Sequence, residues 1–399
     1  MLKMLTPDQA LDLVLVNTTR RPSSVVPIEL APGLILAQNV RADRDFPPFP
    51  RAMMDGYAVR AADAGRSVEV AGEVAAGQAP TVEVTPGRCV NIMTGAACPT
   101  GTEVVVPVED TRVDGQRVVL PEPLLMGKHI APRGSECPAG SVVLEVGHPL
   151  SSLTVAVLAA VGRESIQAFD LPRVGIISTG SELCPPGEKP GEFQIRDSNG
   201  PMLAAQVHLA RLPRPLVLHA DDTAQSLSEA LAQTADMDIV LLSGGVSMGR
   251  YDLVPAALKE LGVNAIFHKV TQKPGKPLLF GRKGEQLFFG LPGNPQSSHF
   301  CFHRYMAPAA RKMAGRTAVE PERQALLTRP LETHSSRTLF LLGRARIHDG
   351  QLEVQPLTGK GSADLFSGQL ANGYIQLEPG DNQLEPGQPV PFQFMGERR

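Results

Sequence analysis

The sequence lacks residues and segments that several functional classes need. It has no tryptophan and only 4 tyrosines in 399 residues, which argues against an aromatic surface for stacking single-stranded nucleic acid. Its net charge of -3 argues against nucleic acid as a bulk partner. No apolar run approaches the roughly 20 residues that a membrane-spanning helix needs. We therefore expect neither a nucleic-acid nor a membrane partner.

Cysteine usage and the N-terminal segment favour a cytoplasmic protein. The five cysteines form no CxxC pair and their number is odd, which fits free thiols in a reducing compartment. The apolar stretch near the N-terminus is interrupted by Asp8 and Asp12, and no small-residue cleavage site follows it. With Thr6 as N-cap and Pro7 at the first helical position, this segment predicts a folded amphipathic helix rather than a secretory signal.

The length of the chain and its changes in composition indicate several domains. A chain of 399 residues is too long for one compact core, so we expect two to four domains. Residues 28–30 predict a short extended run, closed by Pro32-Gly33. Residues 44–137 are rich in proline, glycine and valine in short alternating runs, which predicts small antiparallel strands and tight turns. A helix is predicted over 152–161, ended by Gly162.

From residue 171 onward, continuous apolar runs alternate with amphipathic segments. The runs predict strands over 173–178, 215–219, 238–243, 264–270, 277–281 and 286–290. Helices are predicted over 200–212, 223–235, 252–261 and from 295 to about 314. Strands without polar alternation, separated by helices, indicate a parallel sheet covered on both faces. Residues 316–399 return to strand-and-turn texture.

A glycine-rich segment, residues 243–249 (SGGVSMG), directly follows the strand predicted over 238–243 and precedes a helix. A doubly wound sheet binds its ligand beyond the carboxyl ends of the strands. Glycines let the backbone approach a phosphate closely, and the next helix offers free N–H groups. Turn geometry alone also demands glycine, but the position of the segment favours phosphate binding.

Carboxylates occupy the same predicted edge of the sheet. Residues 178–182 (STGSE) end the first strand, Asp221 and Asp222 end the second, and Asp252 begins the helix after the glycine-rich segment. Each aspartate also suits the start of a helix, so capping is the alternative. Three carboxylates that converge on a phosphate crevice favour a hard cation, Mg²⁺, which prefers oxygen ligands.

Lysines and histidines mark two further segments. Lys269, Lys273 and Lys276 surround a Pro-Gly whose fixed backbone can hold cations at set positions for an oxyanion or phosphate, although a lysine run is often a solvated face. In residues 291–295 (LPGNP), the Asn-Pro pair suits a helix start. His299 and His303 are spaced like metal ligands on a helix, but no general-base glutamate lies between them. We predict no metal role for these histidines.

Together these segments resemble the MoeA family, which includes the C-terminal part of gephyrin. The matching segments, which run in order over nearly the whole chain, are 54–59 (MDGYAV), 92–96 (IMTGA), 179–183 (TGSEL), 197–199 (DSN), 243–249, 273–277 (KPGKP), 291–295 and 371–373 (ANG). The joint set is far more specific than any single motif.

The resemblance implies an α/β plus β fold with four domains. These are a split N-terminal domain (1–43 and 138–168), an inserted small β domain (44–137), a doubly wound, MogA-like α/β catalytic domain that binds molybdopterin (169–315) and a C-terminal β-barrel (316–399). It also implies a homodimer whose active site is shared between chains, and a MogA-type adenylyltransferase as a partner.

The implied reaction inserts molybdate into adenylylated molybdopterin and releases AMP with the help of Mg²⁺. The predicted catalytic residues are Asp55, Thr94, Glu182, Asp221, Asp252, Lys269, Lys273 and Lys276. Those predicted to bind the pterin substrate are Thr179, Gly180, Ser181, Ser243, Gly244, Gly245, Ser247, Gly249, Pro292, Gly293, Asn294 and Pro295. Glu182, Asp221 and Asp252 are the predicted metal ligands. Asp55 and Thr94 would come from the partner chain.

The chain departs from the family pattern at several positions. Ala131 stands where the family commonly has arginine, Glu136 where aspartate is usual, and Arg133 is a nearby cation that would substitute. Ala52 replaces a serine, and Arg250 occupies a position that is often acidic. These departures affect the contacts expected from the partner chain.

Two alternatives to the molybdenum-inserting enzyme stay open. The first is a paralogue that binds the pterin without turnover and acts as a scaffold or carrier, which the altered 131–136 segment motivates. The second is an enzyme that adenylylates molybdopterin from ATP, since related single-domain proteins share the α/β unit. The additional β domains argue against the second alternative.

Overall fold

The chain forms two compact units in the computed structural model, which describes residues 4–246, 253–357, 359 and 361–396. One unit comprises Met1–Ser24 and Ala168–Arg399, and the other comprises Val25–Gln167. The second unit is thus inserted in the sequence of the first. Within the described residues, no helix is both long and apolar enough to cross a membrane.

The N-terminal helix, α1 (Pro7–Val16), begins as its sequence predicts. Thr6 and Gln9 form a reciprocal capping box, and Pro7 occupies the first helical position. The helix buries Ala10 and Val14 completely in the core of its unit. The predicted amphipathic helix is therefore confirmed.

The segment after strand β1 (Ser23–Pro27) differs from the expectation. Ile28–Leu30 is a single turn of 3₁₀-helix and not an extended run. Pro27 fixes the backbone at the start of this turn, and the N–H of Ala31 finds its acceptor in the carbonyl of Ile28 at 3.2 Å. The prediction failed because the residues close a local 3₁₀ hydrogen bond, while the N–H of Ile28 donates to the carbonyl of Glu164 at 3.1 Å.

The inserted unit is built mainly of short strands. Its elements are β2 (Val40–Arg41), β3 (Arg51–Ala52), β4 (Gly56–Val59), β5 (Ser67–Val74), β6 (Arg88–Ile92), β7 (Val104–Pro107), β8 (Arg112–Asp114), β9 (Arg117–Val119), β10 (Ile130–Ala131), β11 (Val142–Leu144), helix α2 (Ser152–Ala160) and β12 (Ser165–Phe169), which extends into the other unit. Six of the strands form one sheet in the order β7-β4-β6-β5-β9-β8. Strands β5 and β6 pair in parallel, so the expectation of purely antiparallel strands was wrong at this position.

The larger sheet of this unit is buried on both faces, which explains its valine-rich strands. Tyr57 and Val59 of β4 belong to one apolar cluster, while Ala58 between them belongs to another. Successive side chains of a strand point to opposite faces, so an uninterrupted apolar run requires cover on both sides.

The α/β part of the other unit follows in sequence. Its elements are β13 (Val174–Thr179), β14 (Leu183–Cys184), β15 (Ile195–Arg196), α3 (Asn199–Leu209), β16 (Leu216–Ala220), α4 (Ala224–Gln233), β17 (Ile239–Ser243), α5 (Val254–Glu260), β18 (Asn264–His268), β19 (Gln272–Lys273), β20 (Leu279–Lys283), β21 (Gln286–Leu291), α6 (Pro295–Cys301) and α7 (Ala307–Met313). The main sheet has the strand order β16-β13-β17-β21-β20-β18.

This sheet is parallel over four strands and covered on both faces. Ile176 and Leu241 lie in one apolar cluster, and their neighbours Ile177 and Leu242 lie in another. The alternation confirms the predicted burial of both faces. Strand β20 runs antiparallel to both β18 and β21, which the apolar pattern did not reveal because buried strands of either direction read alike.

The helix predicted from residue 295 is interrupted by a wider turn. Between α6 and α7, Phe302–Met306 form a π-helical segment in which the N–H of Ala307 donates to the carbonyl of Phe302, five residues earlier. Pro308 lacks an N–H and its ring crowds the carbonyl four residues before it, so a local widening accommodates it.

The C-terminal part contains a closed barrel. Its elements are β22 (Arg323–Leu327), β23 (Leu331–Ser335), β24 (Thr338–His348), β25 (Gln351–Pro356), β26 (Gly373–Leu377), β27 (Gly380–Leu384) and β28 (Pro389–Phe394). The order β24-β25-β22-β28-β26 closes through an additional pairing of β24 with β26. The α/β sheet, the β-rich inserted unit and this barrel confirm the predicted fold class. The four predicted domain boundaries stay a prediction.

Candidate functional site

Several of the predicted site segments meet at one edge of the α/β sheet. In the register of the sheet, Ser178 of β13 lies opposite Ser243 of β17, which lies opposite Leu291 of β21. Thr179 lies opposite Ala220 at the end of β16. Because the four strands are parallel, the loops that follow them leave the sheet at the same edge. The structure thus places the segments that begin at Gly180, Asp221, Gly244 and Pro292 side by side.

Two glycines with positive φ, Gly244 and Gly245, form the turn after β17. Gly244 has a φ of +103° and Gly245 a φ of +62°, a region that favours glycine. A Cβ atom on Gly244 would lie 2.6 Å from the carbonyl oxygen of Thr179 and 2.7 Å from its Oγ1. The turn therefore requires glycine both for its conformation and for its close approach to Thr179.

Asn199, which was not among the predicted site residues, connects two of these loops. Its Nδ2 donates to Ser243 Oγ at 2.9 Å and to the carbonyl of Gly293 at 2.7 Å. Ser298 continues this network, since its hydroxyl lies 3.5 Å from that of Ser243 and donates to the carbonyl of Pro292. The Asp197-Ser198-Asn199 motif at the start of α3 was the available signal, but sequence alone does not show which loops the side chain joins.

Two buried oxygen atoms at this edge have no hydrogen-bond partner among the described residues. They are Ser178 Oγ and Asn199 Oδ1. Unpaired buried polar atoms are costly, so native proteins rarely keep them without a reason. Ser178 belongs to the end of β13 and Asn199 to the start of α3, so both unpaired atoms lie at this edge of the sheet.

The carboxylates after β13 and β16 occupy this edge as well. Ser181 N–H donates to Asp222 Oδ2 at 3.3 Å, and Asp222 N–H donates to Ser181 Oγ at 3.0 Å, so the two turns are tied together. Thr223, not either aspartate, caps helix α4, which removes the capping alternative for Asp221 and Asp222. The Asp221 carboxylate is exposed, 3.5 Å from His219 Nε2.

Of the predicted metal ligands, Glu182 and Asp221 follow two neighbouring strands of the sheet. Glu182 lies over Gly180, since a Cβ on that glycine would be 2.6 Å from Glu182 Oε2. No group of three histidine, cysteine, aspartate or glutamate side chains within the described ranges is arranged to hold a metal ion. Asp252 lies outside the described residues, as do Ser247, Gly249 and Arg250.

The lysine segment begins beside the glycine turn. Strand β18 ends at His268, whose Nε2 lies 2.8 Å from the carbonyl oxygen of Val246. Lys269 follows with a φ of +83°, and Lys273 and Lys276 are exposed. Gly275 between them is packed so tightly that a Cβ would lie 2.6 Å from Cys301 Sγ. The backbone of this segment is therefore held in place while two of its ammonium groups face solvent.

Lys273 also lines a cavity next to the barrel. The cavity is bounded by residues of the α/β part and by the segment before β26, and it includes Gln296, Ser362 and Ser367. Asn294, the N-cap of α6, donates from Nδ2 to Ser362 Oγ at 3.0 Å. The predicted helix start at Asn294-Pro295 is confirmed, but the Asn294 side chain reaches the other segment instead of capping the helix.

In the inserted unit, Asp55 and Thr94 form a close pair. Asp55 Oδ1 accepts from the Thr94 N–H at 2.6 Å and from the Thr94 hydroxyl at 2.7 Å. These hydrogen bonds, first the one from the backbone and then the one from the side chain, hold the pKa of Asp55 below its ordinary value. Both residues are exposed, so an ionised carboxylate is presented in a fixed orientation.

Arg133 is the one cation of the altered 131–136 segment, and it already has a carboxylate partner, as does Arg51. Ala131 is buried in β10 opposite Arg51. Arg133 Nε lies 2.6 Å from Asp45 Oδ2, and Arg51 lies 2.7 Å from Glu136. Arg133 therefore does not reproduce an unpaired arginine at position 131.

The two histidines of the last helical stretch lie inside the unit that contains the barrel. His299 Nδ1 lies 2.8 Å from the Tyr374 hydroxyl, and the rings of His299 and His303 are 4.8 Å apart. Burial lowers the pKa of His299 to about 4, so its ring is neutral near pH 7. This pair packs against the barrel.

Comparisons with known proteins cover nearly the whole chain. Residues 5–162 match the model described as "MoeA N-terminal region (domain I and II)", residues 175–312 that of a "Probable molybdopterin binding domain", and residues 324–395 that of the "MoeA C-terminal region (domain IV)".

Individual relatives agree with these matches. A molybdopterin molybdenumtransferase of Haemophilus influenzae is 33% identical over 97% of this chain and 98% of its own length. The corresponding protein of Synechocystis sp. is 29% identical over 98% of this chain and 99% of its own length. A crystal structure of a molybdopterin biosynthesis MoeA protein from Pyrococcus horikoshii superimposes with a TM-score of 0.85 at 29% identity, over 99% of this chain and 100% of that one.

Proposed function

Since the chain belongs to the MoeA family of molybdopterin molybdenumtransferases, we propose that it completes the molybdenum cofactor. In this reaction molybdate is inserted into adenylylated molybdopterin, and AMP is released. The single observation that carries the proposal is the edge of the α/β sheet at which the loops after β13, β16, β17 and β21 lie side by side.

This edge suits the phosphates of the pterin substrate. Gly244 and Gly245 are half-buried and carry no side chain that would cover the backbone. The Ser178 hydroxyl, which has no partner among the described residues, adds a donor for a phosphate oxygen. We infer that the pterin and its phosphates lie across the loops that contain Thr179–Ser181, Ser243–Gly245 and Pro292–Pro295. Ser247 and Gly249 belong to the same proposal.

The lysine segment suits the second substrate. Lys273 and Lys276 are exposed cations on a backbone fixed by the tight packing of Gly275, and Lys269 begins the segment near the glycine turn. Charge-assisted hydrogen bonds from lysine to an oxyanion are roughly twice as strong as neutral ones. We infer that these lysines hold molybdate next to the pterin.

Mg²⁺ fits the donor chemistry of the crevice. Glu182 and Asp221 offer oxygen ligands after two neighbouring strands, and Mg²⁺ is commonly held by one or two carboxylates, several waters and the phosphates of the substrate. A complete protein cage is therefore not needed. When bound, the ion would polarise the phosphoanhydride and offset its negative charge. Asp252 completes the proposed ligand set.

We also infer a homodimer in which Asp55 and Thr94 serve the active site of the partner chain. The exposed, ionised carboxylate of Asp55, held by two hydrogen bonds from Thr94, has the preorganisation that such a role requires. Mixing the impaired variants Asp55→Ala and Lys273→Ala tests this inference. A shared site raises the activity of the mixture above that of either variant alone, whereas sites confined to one chain leave it between the activities of the two variants.

Release of AMP is the decisive assay for the main proposal. Purified protein is mixed with adenylylated molybdopterin, Mg²⁺ and molybdate, and AMP is measured against reactions that lack molybdate or contain a chelator. We expect AMP release that depends on both additions, and a large loss of turnover without loss of thermal stability in Asp252→Ala. Absence of AMP under every metal condition would contradict the proposal.

One observation favours a second candidate, a carrier that binds the pterin without turnover. Ala131 is buried, and Arg133 and Arg51 are paired with carboxylates, so this segment supplies no unpaired arginine. Pterin binding without AMP release, unchanged in Ala131→Arg, would support the carrier. A gain of turnover in the same variant would support the enzyme. In either case a MogA-type adenylyltransferase is the proposed supplier of the adenylylated pterin.

A further inference from the structure

Residues 361–367, here called the strap, form one wall of the cavity that contains Lys273. Gly361, Ser362 and Ser367 face this cavity together with Lys273 and Gln296. The strap has a turn of its own, in which Asp364 Oδ1 accepts from the N–H groups of Phe366 and Ser367 at 3.1 and 3.2 Å. These bonds shape the strap but do not attach it to the α/β part.

Gln296 makes the attachment. Its backbone N–H donates to the carbonyl of Ser362 at 3.1 Å, and its side-chain Nε2 donates to Ser367 Oγ at 3.0 Å and to the carbonyl of Asp364. One residue at the start of α6 thus bonds to three residues of the strap. Asn294 adds one more bond, to Ser362 Oγ.

Two of the three bonds from Gln296 need side-chain donors that an apolar residue does not have. The backbone bond of Gln296 survives any substitution other than proline, but both side-chain bonds need the amide NH₂ group. Phe366 and Leu365 of the strap are exposed, so burial of these large apolar side chains does not hold the strap down. Its position therefore depends strongly on the Gln296 amide.

We propose that Gln296 is a positioning residue for the oxyanion substrate. It fixes the strap as a wall of the Lys273 cavity, and the affinity for molybdate depends on that fixed wall. The inference rests on the proposed function, because it takes molybdate as the anion that Lys273 holds. It goes beyond that function by assigning a role to a residue outside the lysine and glycine segments.

The test compares Gln296→Met with Gln369→Met in the full-length protein. Methionine keeps the length of the side chain and removes the donors. Gln369 lies just beyond the strap and lines the neighbouring cavity, which also contains His299, but does not line the Lys273 cavity. The dissociation constant for molybdate is measured by calorimetry. Cleavage of the strap at Phe366 by chymotrypsin is followed in parallel.

We expect Gln296→Met to weaken molybdate binding about tenfold, the effect of one or two hydrogen bonds, and to accelerate cleavage at Phe366. Gln369→Met should bind molybdate within about twofold of the wild type. In turnover, Gln296→Met should raise KM for molybdate and leave kcat at saturating molybdate and KM for the pterin substrate nearly unchanged.

Each outcome separates this inference from the proposed function. Unchanged molybdate affinity in Gln296→Met overturns the inference, even if cleavage is faster, because the strap would then be attached without positioning the anion. Failure of the wild type to bind molybdate overturns it as well. If the wild type binds molybdate with the expected dependence on Gln296 but releases no AMP, the inference stands and the proposed enzymatic function fails.

Discussion

Replacement of Asn199 by alanine tests whether the loops of the crevice act as one unit. The Nδ2 of Asn199 donates to Ser243 Oγ and to the carbonyl of Gly293 at 2.9 and 2.7 Å. Alanine removes both bonds and therefore uncouples the loop after β17 from the loop after β21. The glycine turn itself keeps its close packing on Thr179.

The effect on stability follows from the same contacts. Two neutral hydrogen bonds contribute about 0.5–1.5 kcal/mol each, so their loss costs about 1–3 kcal/mol. Alanine also removes Asn199 Oδ1, which is buried without a partner among the described residues, and this removal offsets about 1 kcal/mol of the cost. We expect the free energy of unfolding to fall by about 0–2 kcal/mol.

The effect on activity should be larger than the effect on stability. A displacement of about 1 Å in a positioning group lowers the rate by up to about a hundredfold, so we expect kcat/KM for the pterin substrate to fall at least about tenfold. Denaturant unfolding and AMP release are measured on the same preparations, at a temperature where both proteins are folded.

Asn17→Ala is the matched control for this prediction. Asn17 is partly buried, and its Nδ2 donates to the carbonyl of Leu13 at 2.9 Å, at the end of α1 and away from the crevice. It should lower the free energy of unfolding by about 0.5–1.5 kcal/mol without changing kcat/KM. Normal activity in Asn199→Ala, or an equal loss of activity in Asn17→Ala, would refute the reasoning.

Three further predictions concern charge. Lys273→Ala should lower kcat/KM about ten- to a hundredfold, which is the effect of losing one charged contact to an anion. The control Lys283→Ala, at the opposite end of the sheet, should leave kcat/KM unchanged. Equal losses in both variants would show a nonspecific charge effect. The backbone N–H of Thr94 and, second, its hydroxyl lower the pKa of Asp55. Thr94→Val removes only the hydroxyl, so that pKa should rise part of the way toward its ordinary value in an NMR titration, and an unchanged pKa would contradict the assignment. Burial lowers the pKa of His299 from 6.5 to about 4. The contribution of the neutral ring to the free energy of unfolding is therefore fully present above pH 6.5, and it is lost as the pH falls toward 4, by up to about 3 kcal/mol. Curves of the free energy of unfolding against pH that have the same shape in the wild type and in His299→Gln would contradict this.

Local signals predicted the regular elements well. The start of α1 follows from Thr6, Pro7 and Gln9, whose contacts are all within one turn. The buried strands of the α/β sheet follow from short, continuous apolar runs, which are typical of buried strands and too short for helices. Elements that depend on distant partners were not predictable in this way. The closure of the barrel through β24 and β26 is such an element. The antiparallel direction of β20, by contrast, is set by a tight hairpin with β21, the next strand in the sequence, which the uniform apolar pattern did not reveal.

The candidate site also has features that the sequence predicted and features that only folding reveals. That Thr179, Ser243 and Leu291 lie at one edge follows from the parallel direction of their strands. The bonds of Asn199 and Gln296 were not foreseen, because the direction of a long polar side chain depends on the acceptors that folding brings near it. Arg133 was expected to substitute for the arginine missing at position 131, because it is close in sequence. In the structure it is already paired with Asp45.

The packing of α1 has a consequence for the order in which the chain folds during synthesis. The apolar face of this helix lies in a cluster that includes Met313 of α7, and the helix contacts α7, about 300 residues later in the sequence. At about 5–20 residues per second, a ribosome needs roughly 15–60 s to reach that partner. All of residues 25–167 emerge in the meantime, so the inserted unit has time to fold before the N-terminal helix can pack against α7.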